Sequence, residues 1–197
     1  TWEDTDGNQT LSNFTLDGDG ETGTIGIAVW KRSNVIIHDC TIQDFYAQGV
    51  SIEGFSDPLT LTIRCTGCEF YNNTITNCGD RADFTYAQGG GMLQIGGATG
   101  LLIHDNVFTH NTRAAGHCGD MIQCHPYSQG TKIYNNEFYK RDDEGAGIWN
   151  FIIELWSQSG GIEIYDNEFH GGDCAIDCGA KNALGFSNTK GTYSYAF

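Results

Sequence analysis

Basic residues are scarce in this 197-residue chain: 10 lysines and arginines stand against 25 aspartates and glutamates, a formal net charge of −15. So acidic a chain offers no surface for nucleic-acid phosphates, whose binding rests on lysine and arginine. It also repels polyuronates unless a cation bridges. No apolar run approaches the roughly 20 residues of a membrane span, and the opening residues do not read as a signal peptide. The expectation is a mature, soluble chain. Proline occurs only twice, and no stretch shows the apolar period of a helix, so a helical fold is excluded. Two acidic segments, TWEDTDGNQT with Glu3, Asp4 and Asp6, and DGDGE from Asp17, lack the spacing of an EF-hand loop. No cofactor is expected, and calcium is the one cation these acids can invite.

What the chain has in quantity is glycine, 27 residues, and aromatics at 12%, which suit many short strands and tight turns in one domain, 1–197. It also repeats itself. GLLIHDNVFTHN, Gly100 to Asn111, has copies at TLSNFTL from Thr10, NVIIHDCTI from Asn34, LTIRCTGCEF from Leu61, TKIYNNEF from Thr131 and GIEIYDNEF from Gly161. Aligning the last apolar residues places Leu16, Ile42, Phe70, Phe108, Phe138 and Phe169 in one column, at steps of 26, 28, 38, 30 and 31 residues. Five residues earlier stand Leu11, Ile37, Cys65, Ile103, Ile133 and Ile164. A period of this length with alternating apolar residues is the mark of a β-solenoid of about six coils. One coil cannot bury its own apolar face, so the coils stack around a continuous core.

Two residues before the first column come Phe14, Cys40, Cys68, Asn106, Asn136 and Asn167. The asparagines are expected to form a ladder, each amide donating to the next and satisfying buried turn backbone. In these columns the chain resembles the right-handed parallel β-helix repeat proteins, the group that includes pectate lyases, polygalacturonases and a secreted branch of repeat proteins. The resemblance covers nearly the whole chain and implies an all-β, right-handed parallel β-helix. It implies no particular activity, because the repeat carries shape and not chemistry.

Eight cysteines and three N-x-T sequons, at Asn8, Asn13 and Asn72, point to an extracellular, oxidised glycoprotein, secreted or on the cell surface. Cys40 and Cys68 share a column on consecutive coils, where strands lie about 4.8 Å apart, so a Cys40–Cys68 disulfide is expected. Cys65-x2-Cys68 and Cys174-x3-Cys178 look like zinc half-sites, but Cys65 falls in an apolar column and no metal is assigned.

Each coil carries a further strand: GIAVW from Gly26, GVSIE from Gly49, MLQIG from Met92, MIQCH from Met121, IIELW from Ile152 and AIDCG from Ala175. Alternation turns Ile27, Val50, Leu93, Ile122, Ile153 and Ile176 inward, with Val29, Ile52, Ile95, Cys124, Leu155 and Cys178. It turns Ala28, Ser51, Gln94, Gln123, Glu154 and Asp177 outward, together with Trp30, Glu53, Gly96, His125, Trp156 and Gly179. Amides, carboxylates and indoles in rows suit sugars, whose apolar faces stack on aromatic rings and whose hydroxyls need polar partners. In the resembling enzyme families substrate lies along this sheet between long loops, which here run from Asn72 to Gly91, Thr109 to Gly119 and Tyr139 to Asn150. Trp30, Glu53, Gln94, Gln123, Trp156 and Arg113 are the candidate substrate contacts.

Glycoside hydrolysis needs two carboxyls about one bond, one of them protonated. Glu154 and Asp177 are the candidate pair, adjacent in the outward column, with Asp120 and His125 at the two ends of a neighbouring strand as further candidates. A lyase wants a Lys or Arg base, and Arg113, Lys140 and Arg141 are the loop residues available. His38 and His104 share a place on the outer surface. The polygalacturonase set of paired aspartates with Gly-His-Gly and Arg-Ile-Lys has no full counterpart, GHCGD from Gly116 and RDD from Arg141 being partial echoes. The pectate lyase Arg-x-Pro-x-x-Arg element is also missing. The nearest local resemblance is to secreted β-helix proteins with Asp-x-Ile-Gln followed by Ile-Glu-Leu-Trp, here DMIQ from Asp120 and IELW from Ile153. Two functions therefore stand: a polysaccharide-binding protein, glycosidase or lyase if it is an enzyme, or a noncatalytic adhesive solenoid. The solenoid reading expects incomplete end caps and stacking end to end into a filament.

Overall fold

The structure is a computed structural model, and it describes residues 7–20, 25–54, 65–79, 91–110, 120–125, 127–140, 151–155, 160–171, 174–178 and 194–195. Among them every paired strand is parallel to its neighbours, in three long sheets and one short one. Thr10–Ser12, Ile36–His38, Glu69–Tyr71, Leu102–His104, Lys132–Tyr134, Glu163–Tyr165 and Ser194–Tyr195 form the first sheet. The second comprises Thr15–Asp17, Thr41–Gln43, Thr74–Thr76, Val107–His110, Glu137–Lys140 and Glu168–Gly171. The third comprises Ile25–Trp30, Gln48–Glu53, Gly91–Gly96, Asp120–Cys124, Phe151–Leu155 and Cys174–Asp177. The chain visits the three in turn, which makes a parallel β-helix of about six coils, as the repeat predicts.

The corner between first and second sheets shows why these residues make it. Asn13, Asp39, Asn72, Asp105, Asn135 and Asp166 all have φ between +51° and +62°, a region that asparagine and aspartate tolerate better than other residues with a side chain. The residue after each turns inward. On four coils it is asparagine: the Asn73 amide donates to Asn106 Oδ1 at 3.1 Å, Asn106 to Asn136 at 2.9 Å and Asn136 to Asn167 at 2.9 Å. Each side-chain oxygen also accepts the main-chain N–H one coil back, as Asn106 Oδ1 does from Asn73 N at 2.9 Å. The tight turn is thereby satisfied without water.

One copy of the repeat sits differently from the sequence reading. Ile42 pairs with Ile75 and Ile75 with Phe108, so Ile75 and not Phe70 belongs to the second sheet's inner column. Phe70 takes the place assigned to Cys65, between Ile37 and Ile103 in the first sheet. Asn73, and not Cys68, stands in the ladder. The slip is five residues, and its correction turns steps of 28 and 38 into two of 33.

The Cys40–Cys68 disulfide fails for the same reason. Cys40 N donates to Asn73 Oδ1 at 3.0 Å, which puts Asn73 at its level, and both cysteines carry free thiols. The Cys40 sulfur instead faces the oxygens of Leu11 and His38, at 3.8 and 3.1 Å. It stands in for the amide nitrogen of the next rung, which faces Ile37 O.

Phe70, Phe108 and Phe138 are fully buried, and Phe108, Phe138 and Phe169 stack at 5.0 and 5.1 Å between ring centres. At about 2–3 kcal/mol per buried ring, this column is a major source of stability. His38, Tyr71, His104, Tyr134 and Tyr165 form a second ring stack on the first sheet, at 4.8–5.2 Å. His38 and His104 are therefore members of an aromatic ladder. His104 also touches Glu69 through Nε2 at 2.9 Å and Asp105 through Nδ1 at 2.7 Å. Asn8, Asn13 and Asn72, the sequon residues, are exposed and lie at positive φ. The uncovered ends expected from the sequence fall on residues 1–6 and 179–193, outside those described.

Candidate active site on the third sheet

The register of the third sheet carries the outward column as expected: Ala28, Ser51, Gln94, Gln123, Glu154 and Asp177 stand side by side on consecutive strands. The inward columns Ile27 to Ile176 and Val29 to Leu155 are also in register, but Cys178, expected to continue the second, is exposed. The face differs from a solvated sheet, however. Ser51 is 1% exposed, Gln94 6%, Gln123 2% and Glu154 4%, while Ala28 is exposed and Asp177 half-buried. Polar groups so deeply covered cost stability unless hydrogen-bonded, and here they are bonded across the coils. Gln48 Nε2 donates to Gln94 Oε1, and Gln94 Nε2 donates to Glu53 Oε1.

The next coils repeat this with acids. Gln123 Nε2 donates to Glu154 Oε2 at 2.8 Å and to Asp120 Oδ2 at 3.2 Å. Its Oε1 lies 3.0 Å from His125 Nε2; an amide oxygen only accepts, so His125 carries its proton on Nε2. Asp120 Oδ1 accepts Phe151 N at 3.3 Å. The Gln123 amide thus bridges the Asp120 and Glu154 carboxyls. Burial pushes Asp120 well above the usual carboxylate range, and the charge of Glu154 adds to it, with Lys140 opposing.

Asp120 reaches this face through a break in the alternation. Strict period two would put it on the side of Ile122, yet Met121 and Ile122 both join the core. Pairing between the Gly91–Gly96 and Asp120–Cys124 strands skips that level. Met92 with Leu93 and Ile152 with Ile153 are likewise buried together, and the register is the same on either side of the skipped level, Gly91 with Asp120 and Leu93 with Ile122. Neighbouring coils therefore share this departure, which leaves Asp120 beside Gln123.

At the same corner Lys140 is the last residue of its strand, buried, and its Nζ donates to Phe151 O at 2.9 Å. It is thus not a loop residue, as the sequence suggested. His110, its partner in register, is 3% exposed with Nε2 lacking a hydrogen-bond partner. Burial, with Lys140 nearby, lowers it to about 4.

Of the candidate residues, the structure gathers Asp120, Gln123, His125, Glu154 and Asp177 into one cluster, with Gln94 and Glu53 forming a second network beside it. Trp30 stands apart on the first coil, 49% exposed, its Nε1 donating to Ser51 Oγ at 3.4 Å. Trp156, Arg113 and Arg141 fall outside the described residues, as do most of the residues of the three long loops. Among the described residues no group of three His, Cys, Asp or Glu side chains is arranged to hold a metal. His110 and Lys140 were not among the sequence-derived site residues. Their signal was a polar residue where the alternation after Phe108 and Phe138 calls for an inward side chain.

The separation of the acids limits the chemistry. Carboxyls that flank a glycosidic bond stand about 5–5.5 Å apart in retaining enzymes and 6.5–9.5 Å in inverting ones. Asp120 and Glu154 share one amide nitrogen of Gln123, which holds them side by side. Asp177, one strand spacing of about 4.8 Å from Glu154 along the axis, is the carboxyl that can face it across a bond.

The family model for the right handed beta helix region matches residues 25–193. The chain belongs to this right-handed β-helix family. No significant match was found among curated proteins or among solved structures.

Proposed function

We propose that this β-helix is an extracellular carbohydrate-active protein that binds a polysaccharide along the third sheet and hydrolyses it there. The observation that carries the reading is the pair Asp120 and Glu154, bridged by the Gln123 amide, with Asp120 raised by burial well above the usual carboxylate range, beside a second acid, Asp177, on the next coil. A neutral carboxyl is what a general acid for glycoside cleavage requires. In this reading the Asp120–Glu154 pair delivers the proton to the leaving oxygen and Asp177 serves as base or nucleophile. His125 orients the Gln123 amide that binds both acids. Glu53, His125 and the exposed Trp30 provide polar and aromatic contacts further along the chain of sugars. The acidity of the protein favours neutral glycans over polyuronates, and hydrolysis over lyase chemistry, since Lys140 is buried with its ammonium on Phe151 O.

The test is release of reducing ends from a panel of neutral and acidic polysaccharides, with binding measured in parallel. Asp177→Asn and Glu154→Gln are expected to lower cleavage at least a hundredfold while binding persists. Cleavage unchanged in both variants removes these residues from the mechanism, and a panel neither bound nor cleaved by the native protein removes the function. A noncatalytic solenoid is the second reading, favoured by the burial of Ser51, Gln94 and Gln123. It gains if the panel is blank and light scattering shows assembly growing with concentration.

A further inference from the structure

A second built feature lies away from the third sheet, in the turn Cys65-Thr66-Gly67-Cys68 that leads into the strand Glu69–Tyr71. The two sulfurs are 3.7 Å apart, both buried at 1% and 2% exposure. They flank one main-chain oxygen, that of Arg32, at 2.9 and 3.5 Å. Neighbouring coils clamp the turn from both sides. Asn34 N donates to Thr66 O at 2.8 Å on one side, and Gly67 N donates to Thr99 O at 3.3 Å on the other. Thr66 Oγ1 adds a bond to Ser33 Oγ at 3.0 Å. Gly67 has φ +64°, and a Cβ there would lie 2.7 Å from Asn34 Oδ1. The shape of the turn is therefore imposed by the stack, and it presents two thiols to each other.

The pair shares protons unequally. The bond from Cys65 lowers the Cys68 thiol to about 7, whereas Cys65 is pushed up by that same bond and by burial. A zinc site would need two more ligands, and among the described residues none is assembled there. A disulfide needs only that the sulfurs close from 3.7 Å to about 2.05 Å.

We infer that Cys65 and Cys68 are a redox couple that closes to a disulfide within the turn in the presence of a small-molecule disulfide and reopens with a small thiol. In the forward direction the Cys68 thiolate attacks one sulfur of the small disulfide. That S–S bond breaks, a mixed disulfide forms and the first small thiolate leaves. Cys65 then loses its proton, attacks the Cys68 sulfur and expels the second small thiolate. Two electrons and two protons pass to the small disulfide, which becomes two thiols. Closure locks the Cys65–Cys68 turn within its own coil and withdraws both S–H donors from the Arg32 oxygen.

The test uses the full chain in glutathione buffers graded from reduced to oxidised. Equilibrium is approached from both sides, with urea below the unfolding transition so that the turn is reached. Samples are acid-quenched, unfolded, alkylated and mapped by mass spectrometry. The peptide bearing Cys65 and Cys68 is expected to lose two hydrogens as a unit at one glutathione ratio, while Cys40, Cys78 and Cys124 remain alkylated. Cys65→Ser is expected to trap Cys68 as a mixed disulfide with glutathione. Alkylation of both cysteines throughout the series overturns the inference. So does pairing of either with another cysteine, or stoichiometric zinc that protects both from oxidation.

Discussion

Removing the middle rung of the asparagine ladder tests whether the stack depends on it. Asn106 is 1% exposed. Its amide donates to Phe70 O at 3.0 Å, His104 O at 2.8 Å and Asn136 Oδ1 at 2.9 Å, and its Oδ1 accepts Asn73 N at 2.9 Å. Asn106→Ala leaves Asn73 N–H buried without an acceptor, about 1–3 kcal/mol, and deletes the bonds to two main-chain oxygens at about 1 kcal/mol each. The expected loss is about 3–5 kcal/mol. Asn167→Ala, at the half-buried end of the ladder where water can enter, should cost about 1–2 kcal/mol. Asn106→Asp separates hydrogen bonding from shape: it keeps the acceptor but turns an oxygen toward three others, so it should be worse than alanine at pH 7 and improve on acidification. The assay is urea unfolding, with m-values compared so that only midpoint shifts count. An Asn106→Ala variant within 1 kcal/mol of the parent, or no worse than Asn167→Ala, refutes the reasoning.

Three further outcomes are expected. Cys40→Asn should be neutral or raise stability by up to about 1 kcal/mol in the same assay, because the Cys40 sulfur already faces the oxygens of Leu11 and His38 where an amide would donate. Burial, with the charge of Glu154, holds folded Asp120 well above its unfolded range near 4, so stability should fall as pH rises above about 4, by at most about 1.4 kcal/mol per unit. Thermal melts across pH 4–8 should show that slope flattened in Asp120→Asn. His110 acts in the opposite sense: it ionises near 6.5 unfolded and about 4 folded. Stability is therefore lost as pH falls between those values, by up to about 3 kcal/mol, and His110→Leu should abolish that loss.

The inner columns of the third sheet were legible because Ile27, Val50, Leu93, Ile122, Ile153 and Ile176 sit in strands whose alternation holds from that level onward. The third repeat was misread because two segments competed for one place. Cys68-Glu69-Phe70 imitates Asn136-Glu137-Phe138, whereas Asn73-Thr74-Ile75 imitates Cys40-Thr41-Ile42. Local similarity favoured the first and even spacing favoured the second, and stacking obeys spacing because each rung must meet the next. That one slip hid both the fourth asparagine and Tyr71 in the ring stack, and it produced the mistaken disulfide. The partnership of Asp120 with Glu154 was hidden for another reason. It depends on two successive inward residues, Met121 and Ile122, and a rule of period two has no means of producing them.

The outward column of the third sheet also argues about its own purpose. A ladder that served only to fill a covered face would repeat one self-complementary group, as the asparagines do at the other corner. This column changes along the axis instead, from alanine and serine through two glutamines to glutamate and aspartate. Each glutamine has an amide to give and an oxygen to receive: Gln94 bonds Gln48 and Glu53 of one adjacent strand, and Gln123 bonds Glu154 of the next coil and His125 beside it. Glu154 has no such symmetry: Gln123 donates to it from one side, but Asp177 on the other is a second acid. Glutamine at position 154 would have continued the series without cost. A carboxyl there stands between the Gln123 amide and Asp177, with Asp120 bonded to the same amide. Acids so deeply buried side by side cost stability, a cost that a face filled for stability alone would avoid.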